Sequence, residues 1–525
     1  MTVAASRSPI GDPARTQPFA SILDPAGAAV DASATAPGYA ADLHLDQVVA
    51  AVTVGRDEYE LEPLYWRTLH DPQHIGYRHE VVRDLQQPDV MAVVRTFAER
   101  MREVRRRRTL ARRLHFERQR ERWLIEANGA YCAAVREVHG GLAASTIASA
   151  GLRGLQGWLA QYVDSDRFRA LAEETAAILA ELSEVHYTVH VRDARVRVAP
   201  VEDQSDLAAE VQATFARFAQ GEVTDHRVRF RDAVELNHVE AQILDLVARL
   251  HPETFGRVRA YCECHAQAPD PIVVRFDREV QFYVAYLEHI AALEHRGLAF
   301  CLPDVAIGLK DIAVSAGFDL ALAATLTGDD DRVVTNDLAL SGPERIVVVT
   351  GPNQGGKTTF ARMVGQLHHL AGLGLPVPAG RARLGLPDRV FTHFEREESL
   401  KTLRGKFEDE LVRIREILDQ ATADSVLIMN ESFGSTSLRD ARLVGGAIVR
   451  RVIALDALCV FVTFVDELAS LDPATVSLMS TVDPDDPARR TYEIVRRPAD
   501  GLAHAAALAR RHGLTYDALR ERIRR

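Results

Sequence analysis

The sequence predicts a multidomain chain in which a mainly α-helical region is followed by an α/β domain built on a P-loop. Three observations carry this. The chain has 525 residues and 47% apolar composition, several times the ~150 residues of a typical domain and ample for real cores. Between about residues 43 and 299, Gly and Pro are sparse and apolar residues recur at helical spacing, as over 93–124 and 168–182. From about residue 302, short apolar runs at 345–350, 425–429, 459–464 and 491–495 alternate with helical stretches, which is the pattern of a mostly parallel sheet.

Taken in order, residues 1–40 are rich in Ala, Ser, Pro, Gly and Asp without periodicity and are expected to form a disordered tail. Residues 41–300 form the expected helical region, interrupted at 185–198, VHYTVHVRDARVRV, where period-two alternation on either side of Asp193 predicts a β-hairpin. Its polar face carries His186, His190, Arg192, Arg195 and Arg197, and a further short strand from His226 puts Arg227, Arg229 and Arg231 on one side. A solvated face and a phosphate-contacting face fit that pattern equally. Residues 102–122 hold ten Arg against three Glu, the densest positive charge in the chain. That run suits either DNA phosphates or a solvated face paired with acidic segments.

Residues 301–525 form the expected α/β domain, and its strongest signal is GPNQGGKT at 351–358, a G-x-x-x-x-G-K-[ST] loop after the strand-like RIVVVT and before a helical stretch. Gly351, Pro352, Asn353, Gln354, Gly355, Gly356, Lys357, Thr358 and Thr359 are therefore the nucleotide-binding candidates. Glycines let backbone N–H groups face phosphates, the following helix adds its dipole, Lys357 can reach the β- and γ-phosphates, and the Thr358 hydroxyl can ligate Mg²⁺. A second apolar run, VLIM, leads into Asn430 and Glu431. Glu431 is the candidate catalytic residue that orients water, and Asn430 stands where a metal-supporting Asp is usual, supplying an amide without charge.

These motifs resemble the ATPase domain of the MutS mismatch-repair family: GPNQGGKTTF, then LGLPVPA, LPDRVFT and NESFGSTS match it in order and spacing over residues 338–468. Downstream, TYEIVRRPADGLAHAAALARRHGL resembles that family's closing strand and dimer-supporting helices, and upstream LYWRTLHDPQHIGYRHEVVRDLQ resembles the opening of its lever domain. The resemblance implies a dimeric, ABC-like ATPase using ATP and Mg²⁺, with composite sites, coupled to helical levers and a clamp that embraces DNA. It makes 41–300 a lever/clamp domain with a hairpin insertion near 185–231. Asn353, Gly355, Gly356, Lys357, Thr358 and Thr359 fall on the family's phosphate loop, Glu431 on its catalytic glutamate, and Thr436, Ser437 and Asp440 on the loop that follows. Three positions depart from the pattern. Asn430 replaces the family's aspartate, Gly405 aligns with the serine that reaches across the dimer, and Phe464 aligns with a histidine. The lever-like sequence begins near residue 43, so the expected member lacks the mismatch-recognition and connector domains.

Composition narrows the rest. Sixty-three Lys and Arg against 74 Asp and Glu give a net charge of −11, which confines nucleic-acid contact to a local patch. Five cysteines imply no disulfide framework, and the absence of a signal-peptide pattern points to the cytoplasm. The longest apolar run, ALCVFVTFV, is about half the length a membrane-crossing helix needs. Cys262, Cys264 and His265 lack a second ligand pair for zinc. The expected function is thus an ATP-dependent DNA-binding homodimer acting in mismatch repair or a related DNA transaction. The principal alternative is a nucleotide-gated scaffold for a protein or RNA partner with negligible hydrolysis; a P-loop kinase lacks an acceptor constellation.

Overall fold

The computed structural model describes residues 19–27, 34–193, 195–201, 210–211, 213–214, 235–326, 332–395, 405–434, 436–483, 489–499, 514–516, 519–520 and 522. The chain divides into two units, one of Met1–Pro18, Pro88–Ile147 and Arg153–Asp277, the other of Phe19–Gln87, Ala148–Leu152 and Arg278–Arg525. Among the described residues no helix is long and apolar enough to cross a membrane.

The first unit is helical. Helices α4 (Pro88–Arg113) and α5 (Glu117–Ala144) pack side by side, and Gly141 is required there because a Cβ would lie 2.7 Å from Val93 Cγ1. Helix α7 (Asp166–Ser183) starts where the Ser165 hydroxyl accepts from the Phe168 N–H at 3.2 Å. It leads into the expected hairpin, β1 (Tyr187–Arg192) paired antiparallel with β2 (Arg195–Pro200) through a turn in which Asp193 has φ 55°. The register pairs His190 with Arg197 and Arg192 with Arg195, so these four share one face. On the other face Val198 packs with Val185 against Val247 of α8 (His238–Leu250) and Phe255 of α9 (Pro252–Cys264). The additional strand expected at Arg227, Arg229 and Arg231 lies outside the described residues.

The arginine run settles largely into internal pairing. Arg105 meets Asp277, Arg106 and Arg107 meet Glu103 at 3.0 and 2.7 Å, Arg118 meets Glu121 at 2.9 Å, and Arg122 meets Glu126. Spacings of three and four residues on one helix favour such pairs, which the sequence count of Arg against Glu could not weigh. Cys262 and His265 are likewise engaged elsewhere, by the Glu121 carbonyl and by Glu174 at 2.7 Å.

In the second unit, six strands form one sheet in the order β12 (Arg490–Arg496), β11 (Thr475–Val482), β6 (Ile346–Thr350), β10 (Leu458–Val462), β9 (Val426–Asn430), β8 (Val390–Phe394). All neighbours are parallel except the edge strand β12. All five residues of β6, β9 and β10 are buried, which is why they read as continuous apolar runs and not as alternation. One face is covered by α13 (Lys406–Gln420) and α14 (Leu438–Leu455), whose Ile414, Val449 and Val452 pack on Val348, Leu427 and Phe461. The other is covered by α12 (Lys357–Gly372), seated closely because Gly365 meets Ile428 of β9, where a Cβ would come to 2.7 Å. A second sheet orders β3 (Asp304–Ala306), β7 (Arg381–Gly385), β4 (Ile312–Gly317) and β5 (Asn336–Leu340).

Two expectations are corrected here. The boundary at residue 300 is not where the chain divides, since residues 19–87 and 278–300 cluster with the α/β part. Nor are residues 19–27 and 34–40 a disordered tail: Ile22 and Leu23 are fully buried. The Glu279 carboxylate accepts from the Ser21 hydroxyl at 2.8 Å and the Ile22 N–H at 3.0 Å, while Tyr283 and Arg78 donate to the Ile22 and Leu23 carbonyls. Composition misled because Glu279 and Tyr283 lie more than 250 residues away. Glu279→Ala is expected to leave both donors without that acceptor and to cost about 2 kcal/mol locally. Hydrogen exchange at the Ile22 amide should then rise roughly 30-fold; unchanged protection would contradict the anchoring.

Candidate functional site

The site is built at the carboxyl ends of the parallel strands, where β6 and β9 deliver their following residues on either side of β10. The chain leaves β6 through Gly351 at φ 110°, passes Gln354 at φ 60° and enters α12 through Gly356 at φ 89°. Positive φ at 351 and 356 is where glycine is needed, and the turn leaves the first N–H groups of α12 facing outward. Gly355 is needed for space: a Cβ there would lie 2.0 Å from Ser480 Oγ, which instead donates to the Gly355 carbonyl at 2.7 Å.

Lys357 is buried, and its ammonium folds back onto the loop, donating to the Gly351 and Pro352 carbonyls at 2.9 and 3.0 Å and to Asn353 Oδ1 at 3.3 Å. Burial holds its pKa below the ordinary lysine value, and the nearby Glu431 carboxylate opposes that shift. Thr358 donates from its hydroxyl to Asn430 Oδ1 at 3.0 Å, so the two residues expected at the metal are brought together. Glu431, immediately after β9, holds a left-handed backbone with φ 52°, and its N–H donates to the Val462 carbonyl of β10. A non-glycine residue in that conformation is held by its surroundings. Oxygen donors of this kind suit a hard cation such as Mg²⁺, which also takes phosphate and water oxygens.

Of these residues, Lys357, Thr358 and Glu431 line one cavity of about 510 Å³. Gln354 through Thr359 and Glu431 form one wall; Leu322, Leu326, Val333, Val334 and Tyr492 form an apolar one. Ser480, Arg490, Tyr492 and Asn336 escaped the sequence reading. Arg490 donates to the Asn353 carbonyl at 3.2 Å, and Asn336 holds the β12 backbone by donating to the Tyr492 carbonyl and accepting from the Ile494 N–H. Ser480 on β11 and Arg490 and Tyr492 on β12 are brought in by the sheet order, and Asn336 by β5 of the second sheet. Gly405 begins α13 with open space where a side chain would be, Phe464 is half exposed, and Ser437 caps α14 by accepting from the Asp440 N–H. His368 and His369 are fully buried; His368 contacts the Val364 carbonyl, while His369 reaches the Tyr65 carbonyl and the Tyr39 hydroxyl.

Gly355→Ala should cost about 1–3 kcal/mol in the loop and weaken nucleotide binding, measured by calorimetric titration. Removing the obstructing side chain with Ser480→Gly in the same chain should recover part of it. Absence of any recovery would remove Ser480 from the account.

The family model for MutS domain V matches residues 347–488, which span β6, the loop, β9 and Glu431. The DNA mismatch repair protein MutS of Zymomonas mobilis is 36% identical over 186 residues, 32% of this chain and 21% of that protein. That of Erythrobacter litoralis is 38% identical over 156 residues, 30% of this chain and 18% of that protein. That of Azorhizobium caulinodans is 30% identical over 328 residues, 59% of this chain and 34% of that protein. The chain thus matches about a fifth to a third of the length of these relatives.

Proposed function

The chain is a member of the MutS family, and from that we propose that it is an ATP-binding, DNA-engaging protein. In this reading it is a homodimeric, nucleotide-dependent clamp in the cytoplasm, acting in mismatch repair or a related DNA transaction. One observation carries the nucleotide part: Lys357, Thr358 and Glu431 line one cavity at the end of a parallel sheet, and Asn430 accepts from the Thr358 hydroxyl beside it. Lys357 exchanges its loop carbonyls for the β- and γ-phosphate oxygens, an acceptor that carries the charge those carbonyls lack. The N–H groups of Gly355 through Thr358 and the α12 dipole face the phosphates. Thr358 and Asn430 would hold Mg²⁺, which when bound would neutralise charge on the phosphates. Glu431 orients water, and the apolar wall with Tyr492 takes the base. DNA contact falls to the His190, Arg192, Arg195 and Arg197 face and to those arginines of residues 102–122 that are not internally paired.

The neutral amide of Asn430 favours a second reading, a nucleotide-gated scaffold with negligible hydrolysis. Steady-state ATP turnover by the full chain, compared with Glu431→Ala, separates the two. The enzyme reading expects the variant to lose at least tenfold; indistinguishable rates would leave the scaffold.

A further inference from the structure

Four guanidinium groups in the helical unit surround a cavity that the nucleotide site does not use. It lies where the end of α4, the start of α5 and the end of α9 meet, with a volume of about 490 Å³. Arg108, Arg112, Arg120 and Arg259 line it. Of the carboxylates beside them, Glu121 is committed to Arg118 at 2.9 Å, and Glu117 reaches Arg259 only at 4.0 Å. Glu263 is the other acidic residue on the wall. Among the described residues Arg112 and Arg120 have no ion-pair partner, in contrast to Arg105, Arg106, Arg107 and Arg122 of the same run.

Arg108 gives the second observation. One of its terminal nitrogens donates to the Ala266 carbonyl at 2.9 Å, while the other, Nη1, is buried and has no hydrogen-bond partner. A buried guanidinium N–H without an acceptor costs free energy. Burial and then the neighbouring Arg112 both push the Arg108 pKa below its ordinary value, so a second positive charge lies close to it.

The geometry points to a second ligand site, a seat for a phosphate group at Arg108, Arg112, Arg120 and Arg259. Converging guanidinium groups suit a multiply charged oxyanion, since each presents a planar fork to two oxygens. The cavity is wide enough for a phosphorylated small molecule, and an entering backbone phosphate of nucleic acid offers the same chemistry.

The test uses the full chain carrying Lys357→Ala, so that the nucleotide loop does not report, with inorganic pyrophosphate as probe in calorimetric titration. One binding site is expected. Arg112→Gln with Arg120→Gln should weaken it at least tenfold, and Arg112→Lys, which keeps the charge, should weaken it less. Both positions are exposed, so folding is not at stake. A 16-base-pair duplex titrated across a salt series forms the second arm. If pyrophosphate does not bind but the double variant loses duplex affinity, with a salt slope about 1 to 2 smaller, the seat takes nucleic-acid phosphate. If neither probe responds to the arginine substitutions, the site is refuted. The nucleotide reading survives that result, because Lys357 and its loop play no part in it.

Discussion

Lys357→Ala should abolish nucleotide binding, weakening ATP by at least a hundredfold while leaving the fold intact. The side chain is buried beside its loop, so the substitution removes a buried cation from the cavity wall at the phosphate loop itself. Its present partners are two backbone carbonyls and the Asn353 amide, neutral groups that gain little from it compared with a triphosphate. Loss of these hydrogen bonds should cost about 1–2 kcal/mol, a few degrees at most in thermal unfolding. Titration with ATP reads the first effect and circular dichroism the second. Tight ATP binding by the variant would refute the site.

Asn430→Asp should raise steady-state ATP turnover roughly tenfold and make it more steeply dependent on Mg²⁺. Asn430 accepts the Thr358 hydroxyl at 3.0 Å, so a carboxylate there adds a full charge where the cation is expected. The cost falls on the nucleotide-free protein. Position 430 is buried and adjoins Glu431, so two carboxylates are then neighbours near the Lys357 ammonium. The variant should unfold at lower temperature than the parent without nucleotide and regain stability with Mg²⁺ and ATP. Turnover that is unchanged or reduced, with binding retained, would show that the amide is not what limits hydrolysis.

How much was legible in the sequence follows from how local each signal is. The loop 351–358 was readable because a strand, glycines, a lysine and a threonine fall within a dozen residues, and β6, β9 and the hairpin because apolar continuity and alternation are local patterns. The site's second half was not: Ser480 and Tyr492 arrive through strand order, with β11 laid beside β6 and β12 beside β11, and Asn336 comes from β5 of the second sheet. The anchoring of Ile22 by Glu279 was invisible for the same reason. Charge counting left two readings of residues 102–122 open, DNA phosphates or a face paired with acids. Five of the ten arginines, Arg105, Arg106, Arg107, Arg118 and Arg122, are held by carboxylates, and Arg108 meets a backbone carbonyl, which favours the paired face. What such a run offers a partner is set by the residue spacing of its acids as much as by its own number.

The central claim is that nucleotide at the Lys357 site governs engagement of DNA, and duplex binding by the full chain, with and without ATP and Mg²⁺, across a salt series tests it most directly. The account predicts that affinity falls linearly in logarithm with salt, by about 0.9 per phosphate contacted, and that ATP shifts it at least tenfold in the parent but not in Lys357→Ala. A slope near zero, or an affinity that ATP leaves unchanged, would contradict it.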